Sequence, residues 1–165
     1  MSPRVIGIDP GTRITGYGVV ERQGNQLRLL RAGVIRTDAG APLYQRLDTI
    51  YRELSAVIRE TQPEVAAVES LFAARNAASA LKLGHARGVA LLALVHGGLA
   101  VHDYAPSEVK QAVVGTGRGQ KEQVAQMIRN LLGLKEIPPP DAADALAVAV
   151  CQLMHRALPG ALATR

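Results

Sequence analysis

The sequence predicts an α/β fold: one mixed, five-stranded sheet flanked by helices. Three observations carry this reading. Three short apolar runs near the start are separated only by turn residues, as in an antiparallel meander. Two further strand-like runs alternate with helical periodicity, as in αβ units. The length of 165 residues suits one domain, since domains run to roughly 100–200 residues.

The first strand, over 5–9, alternates: Val5, Gly7 and Asp9 share one face, Ile6 and Ile8 the other, and Pro10-Gly11 turns the chain. Strands follow over 16–22 and 27–36, with Gly24-Asn25 as the hairpin turn between them. Residues 43–61 switch to helical spacing, with Leu43, Leu47, Ile50, Leu54, Val57 and Ile58 on one stripe, until Pro63 intervenes. A strand over 65–69 puts Val65, Ala67 and Glu69 on one face. A long helix over 76–96 and a strand over 99–104 come next, then two shorter helices over 107–114 and 120–132. Pro138-Pro139-Pro140 forms a rigid entry to a last helix over 141–158. The expected organisation is one domain, 1–158, with a loose tail over 159–165.

Composition narrows the function classes. Lys and Arg number 19 against 14 Asp and Glu, a formal charge of +5. Such an excess favours a polyanion, because each cation placed on a phosphate releases condensed counterions, although moderate positive charge can also serve solubility alone. The single cysteine, Cys151, excludes an internal disulfide and a cysteine-based zinc cage, and its apolar helical setting points to a buried, inert thiol. The apolar stretch over 89–101 is interrupted by His96, Gly97 and Gly98 and is shorter than the roughly 20 residues of a spanning helix. The expectation is a cytoplasmic protein that engages no membrane. His85, His96, His102 and His155 show no metal-ligand spacing and receive no role.

Four carboxylates stand out. Asp9 and Glu69 each end a strand, where side chains can converge at one edge of the sheet. Asp141 and Asp144, at i and i+3, share a face at the start of the last helix. Each has an ordinary reading of its own: Asp141 as an N-cap or first-turn acid, Asp9 as a turn starter. Those readings do not explain why Glu69 ends an apolar strand or why Asp144 sits among alanines. Four acids gathered together repel one another, and a hard cation such as magnesium relieves that repulsion while retaining water. Two such ions can activate water and stabilise the leaving oxygen of a phosphodiester.

The motifs bear a family resemblance. Ile6-Gly7-Ile8-Asp9-Pro10-Gly11 with Thr15-Gly16-Tyr17-Gly18 resembles the first catalytic segment of the RuvC family of bacterial Holliday-junction resolvases. Val68-Glu69, Phe72 and the run Ala80-Leu81-Lys82-Leu83-Gly84-His85-Ala86-Arg87-Gly88 are similar to the second segment. Ala105-Pro106, Val109-Lys110, Val114-Gly115 and Lys121 match the third, and Asp141-Ala142-Ala143-Asp144-Ala145-Leu146-Ala147 the fourth. Some members carry His at the first position of that last pair; Asp141 serves metal binding equally.

The resemblance implies a ribonuclease-H-like fold and a homodimer that cuts opposed strands of four-way junction DNA in recombination and repair. It implies two Mg2+ ions per active site, with Mn2+ as the alternative, and association with the RuvA–RuvB branch-migration complex. Its catalytic acids fall on Asp9, Glu69, Asp141 and Asp144, and its functional lysines on Lys110 and Lys121. Lys121 is expected to be catalytic. Phe72, Lys82, Arg87, Lys110, Arg118 and Lys121 are the expected DNA contacts.

Lys121 closes Gly115-Thr116-Gly117-Arg118-Gly119-Gln120-Lys121. This is no Walker loop, because Gln120 precedes the lysine and Glu122 follows it; a basic loop reaching a phosphate fits better. Phe72, the sole phenylalanine, could stack on bases or fill the core. The helix over 76–96 is apolar on more than one side. Leu81, His85, Gly88, Leu92 and Val95 form one stripe, and Gly84 and Gly88 would permit close approach. It is either wholly buried or half of a two-fold interface. The competing functions are an actin-like ATPase or sugar-kinase-type domain and an inactive DNA-binding module. The first needs two such domains around a nucleotide, and the second has no use for all four acids.

Overall fold

In the computed structural model, which describes residues 3–70 and 76–156, the five strands form one sheet in the order β3-β2-β1-β4-β5. Strands β1 (Arg4–Asp9), β2 (Ile14–Gln23) and β3 (Gln26–Arg36) make the expected antiparallel meander. Strands β4 (Val65–Glu69) and β5 (Ala100–Tyr104) add in parallel on the other side of β1. Parallel pairing requires a crossover, and the helices α1 (Leu43–Thr61) and α2 (Ala77–His96) supply both. Then come α3 (Pro106–Val114), α4 (Lys121–Leu131) and α5 (Pro140–Arg156).

Alternation in the strands sends side chains into two cores. Ile6, Ile8, Ala66 and Val68 pack against Ile50, Leu54, Val57 and Ile58 of α1 and Ala86, Ala90, Ala93 and Leu94 of α2. Val5, Val65 and Ala67 face the other way, into a core closed by α3, α4 and α5. Helix α5 is buried almost throughout; from Ala145 to Val150 every residue is at most 2% exposed. Between two filled layers the central strands β1, β2 and β4 are mostly buried on both faces, which explains their apolar content.

Boundaries moved by one or two residues, since hydrogen bonding extends β2 back to Ile14 and α5 back to Pro140. Asp141 therefore lies in the first turn of α5 and is not its N-cap.

Helix α2 differs more from expectation. Within its 20 residues an 18-residue window has a mean hydropathy of 1.3, enough by length and composition to cross a membrane; the apolar stretch over 89–101 is shorter. One stripe of α2 is buried against α1 and the sheet. On the other, Leu81, Leu92 and Val95 are exposed (65%, 48% and 60%). Among the described residues, and apart from the backbone of α2 itself, nothing lies within 4 Å of where a Cβ would stand on Gly84 or Gly88. The second stripe is thus surface in a single chain. Cys151 is buried as expected, and burial pushes its thiol up to about 12. The expected tail over 159–165 lies outside the described residues.

Candidate active site

Asp9 and Glu69 come together because β1 and β4 are parallel neighbours in register, Ile8 opposite Val68. Each acid is the last residue of its strand, and each follows the alternation that faces α5. The remaining two acids arrive on α5, whose first turn begins at Pro140.

What lets α5 come so close is the glycines of the facing strands. A Cβ on Gly7 would stand 1.9 Å from the Ala145 carbonyl oxygen, and one on Gly16 1.9 Å from that of Asp141. No side chain fits there, so helix backbone lies directly on strand backbone. Gly16 is also the partner of Asp9 across the β1–β2 ladder. The missing side chain therefore sets Asp141 beside Asp9. In the sequence Gly7 shares a strand face with Val5 and Asp9, and both glycines stand in the RuvC-like segment; that a helix backbone would rest on them was not legible there.

Two lysines complete the site. Lys110 comes from α3, which Pro106 opens and where Glu108 accepts a hydrogen bond from the Ala105 amide at 2.7 Å. Lys121 is the first residue of α4, whose start is set by Gln123 accepting from the Gln120 amide at 2.8 Å. Its Nζ donates to Asp144 Oδ2 at 2.6 Å. A cation at a helix N-terminus works against the helix dipole, so its reward lies in the carboxylates opposite. Asp9, Glu69, Asp144, Lys110 and Lys121 line one cleft of about 220 Å3. A roomier, mostly apolar cavity of about 480 Å3 beside α3 and the end of α5 touches none of these residues.

The electrostatics are those of crowded acids. Burial first, then Asp144, Asp141 and Glu69, raise the Asp9 carboxyl to about 7, and Lys121 opposes them. Glu69 is raised by burial and by Asp144 against Lys121 and Lys110. Asp144 is also raised, because burial outweighs its bond to Lys121. That same bond raises Lys121. Among the described residues no three His, Cys, Asp or Glu side chains are already gathered tightly enough to hold a metal ion. The Lys121 ammonium holds one of the carboxylates, that of Asp144. Their oxygens are nevertheless hard donors of the kind a divalent cation takes.

The other expected DNA contacts fall outside this cleft. Lys82 and Arg118 are exposed, on α2 and on the loop before α4. The guanidinium of half-buried Arg87 is paired with Asp103 of β5. Phe72 lies outside the described residues.

A protein-family model, crossover junction endodeoxyribonuclease RuvC, matches residues 5–152. The chain belongs to the RuvC family. The crossover junction endodeoxyribonuclease RuvC of Syntrophotalea carbinolica is 60% identical over 148 residues, 90% of this chain and 92% of its own. That of Heliobacterium modesticaldum is 56% identical over 148 residues, 89% and 91%. The structure of T. thermophilus RuvC in complex with a Holliday junction substrate superposes with a TM-score of 0.89 at 40% identity, covering 93% of this chain and 94% of that one. The yeast mitochondrial Holliday junction resolvase Ydc2, at 13% identity and a TM-score of 0.68, shares the fold. The ribonuclease-H-like architecture expected from the RuvC motifs is therefore the one observed.

Proposed function

We propose that this chain is a crossover junction endodeoxyribonuclease that resolves Holliday junctions by paired hydrolysis of phosphodiester bonds in opposed strands. The observation that carries this reading is the convergence of Asp9, Glu69, Asp141 and Asp144, from β1, β4 and α5, beside two lysines. The relatives named as junction endonucleases, and the close structural match to a RuvC bound to its junction, support it.

The four acids would hold Mg2+, two ions per site, with Mn2+ as a substitute. When bound, such ions supply a water acidified to a nucleophile and a Lewis acid at the leaving oxygen. The protein's own part is electrostatic. Asp9 and Glu69 stand on the ends of neighbouring strands, so their backbones are already in place and only side chains need to turn on ligation. Lys121, held beside Asp144, can offer its ammonium to charge that develops on the scissile phosphate. Lys110 and Arg118 anchor neighbouring phosphates, Lys82 and Arg87 serve as further backbone contacts, and Phe72 stacks on an unpaired base.

The working unit is a homodimer across the exposed stripe of α2, which presents two sites to two equivalent strands. Residues 1–158 form one nuclease domain with a short tail, 159–165. It acts in the cytoplasm, together with the RuvA–RuvB complex. The deciding experiment is nicking of a synthetic four-way junction with and without Mg2+, with linear duplex and ATP as alternative substrates. Symmetric, Mg2+-dependent incision of the junction alone is expected. Equal cutting of duplex, or ATP hydrolysis without incision, would defeat the reading.

A further inference from the structure

Asp9 owes its place to the end of β1, and the turn that follows is held from two sides. From within, Thr15, 0% exposed, donates its hydroxyl to the Gly11 carbonyl at 2.8 Å and accepts the Gly11 amide at 3.2 Å. From outside, Arg46 reaches over from the first turn of α1. Its Nη2 donates to the Thr12 carbonyl at 2.7 Å and its Nε to Thr37 Oγ1 at 3.2 Å. Thr37 Oγ1 in turn donates to the same Thr12 carbonyl at 2.6 Å, and the Thr37 amide bonds the Arg13 carbonyl at 3.0 Å.

Helix stability does not explain Arg46. Helix α1 has no side-chain cap and no acid in its first turn. A cation there opposes the helix dipole. The guanidinium is instead turned away from the helix, and its two-pronged geometry suits a carbonyl and a hydroxyl at once. Charge-assisted bonds of this kind are stronger than neutral ones, and the helix beneath is anchored by Ile50 and Leu54, both 0% exposed.

We propose that Arg46, with Thr37, is a positioning residue that fixes the Asp9 turn from the opposite layer of the sheet and so sets the carboxylate for cation binding. The inference rests on the metal-site reading above. Lost partners behind a metal ligand typically weaken metal binding about 10- to 100-fold.

The test is calorimetric titration of the whole protein with Mn2+, together with amide exchange at Gly11–Arg13. Arg46→Ala should weaken Mn2+ binding about 10-fold or more and speed exchange at the turn, while metal-free junction binding stays near wild type. Arg46→Lys, whose ammonium cannot reproduce the fork, should lie between. Thr37→Val keeps the charge and removes the hydroxyl bridge, so it should move both readouts in the same direction. It also keeps the test decisive if Arg46→Ala fails to fold. Wild-type Mn2+ affinity and exchange in a folded variant overturn the proposal. A wild type that binds no Mn2+ overturns the metal-site reading instead, and turn exchange unchanged by these substitutions then overturns the clamp on its own.

Discussion

The Lys121 ammonium lies 2.6 Å from Asp144 Oδ2, joining the first residue of α4 to the second acid of α5. An amine so placed serves the reaction more than it serves affinity, because charge on the phosphate grows in the transition state. Lys121→Ala is expected to cut single-turnover cleavage about 100-fold or more and to lower the salt-dependence slope of binding by only about one unit. Affinity loss with an unchanged rate on bound junction would make Lys121 a simple anchor. Arg118, exposed and three positions before Lys121, can compensate in part, so the double variant is measured as well.

Asp9→Asn, Glu69→Gln, Asp141→Asn and Asp144→Asn should each abolish cleavage yet leave junction binding largely intact. Each removes a carboxylate oxygen donor, from the cleft itself or, for Asp141, from beside Asp9, whereas affinity comes mainly from cations on phosphates. Gel shift and cleavage measured side by side on each variant check this. A variant that cuts at near wild-type rate is no metal ligand.

Asp9 should make metal-free stability depend on pH. Its carboxyl is raised by burial and by its acidic neighbours to about 7, so the folded chain binds that proton more tightly than the unfolded chain. Stability should therefore fall as pH rises from about 4 through about 7. Mn2+ binding should release a proton and strengthen over the upper part of that window. Thermal melts in chelator, from about pH 5 to about pH 8, should show Asp9→Asn gaining a few degrees over wild type at the alkaline end. Parallel melting curves for the two proteins would remove the raised carboxyl from the account.

Gly16→Ala should act on the site through α5. The new Cβ would meet the Asp141 carbonyl oxygen at 1.9 Å, and backbone cannot swing aside as a flexible side chain can. Overpacking of this kind costs about 1–3 kcal/mol and pushes Asp141 away from Asp9. A Tm lowered by several degrees, with cleavage reduced more than junction binding, is the expected result. A fully active variant with a wild-type melt would show that α5 has slack at its first turn.

Leu92→Glu should yield folded monomers that nick poorly. Leu92 is 48% exposed and Leu81 65% exposed in the single chain, so neither substitution threatens the core. At a two-fold contact an unpaired buried charge costs several kcal/mol. Sedimentation and circular dichroism distinguish the cases, and a wild type that is already monomeric at working concentration would discard the α2 interface.

Local chemistry was enough to place each described strand and helix to within a couple of residues. The period-2 runs, the Gly24-Asn25 turn and the proline breaks act over a few residues, and their physics does not need the rest of the chain. The same holds for the four acids as a set, since strand ends and an i, i+3 pair are legible as text. Tertiary structure decided what those acids face. The strand order brings Asp9 beside Glu69 across a parallel pair separated by 60 positions in the chain. Gly7 and Gly16 let α5 settle directly on the sheet, and the Lys121–Asp144 bond crosses from one helix start to another. Arg46 lies off the apolar stripe of residues 43–61 and carries no functional signal in the sequence; folding sets Thr12 and Thr37 within reach of its guanidinium. The exposed stripe of α2 is a further case: its apolar residues could be read from the sequence, but which of them the sheet would cover could not. Distances between residues remote in sequence depend on how whole layers pack, and packing is a property of the complete chain.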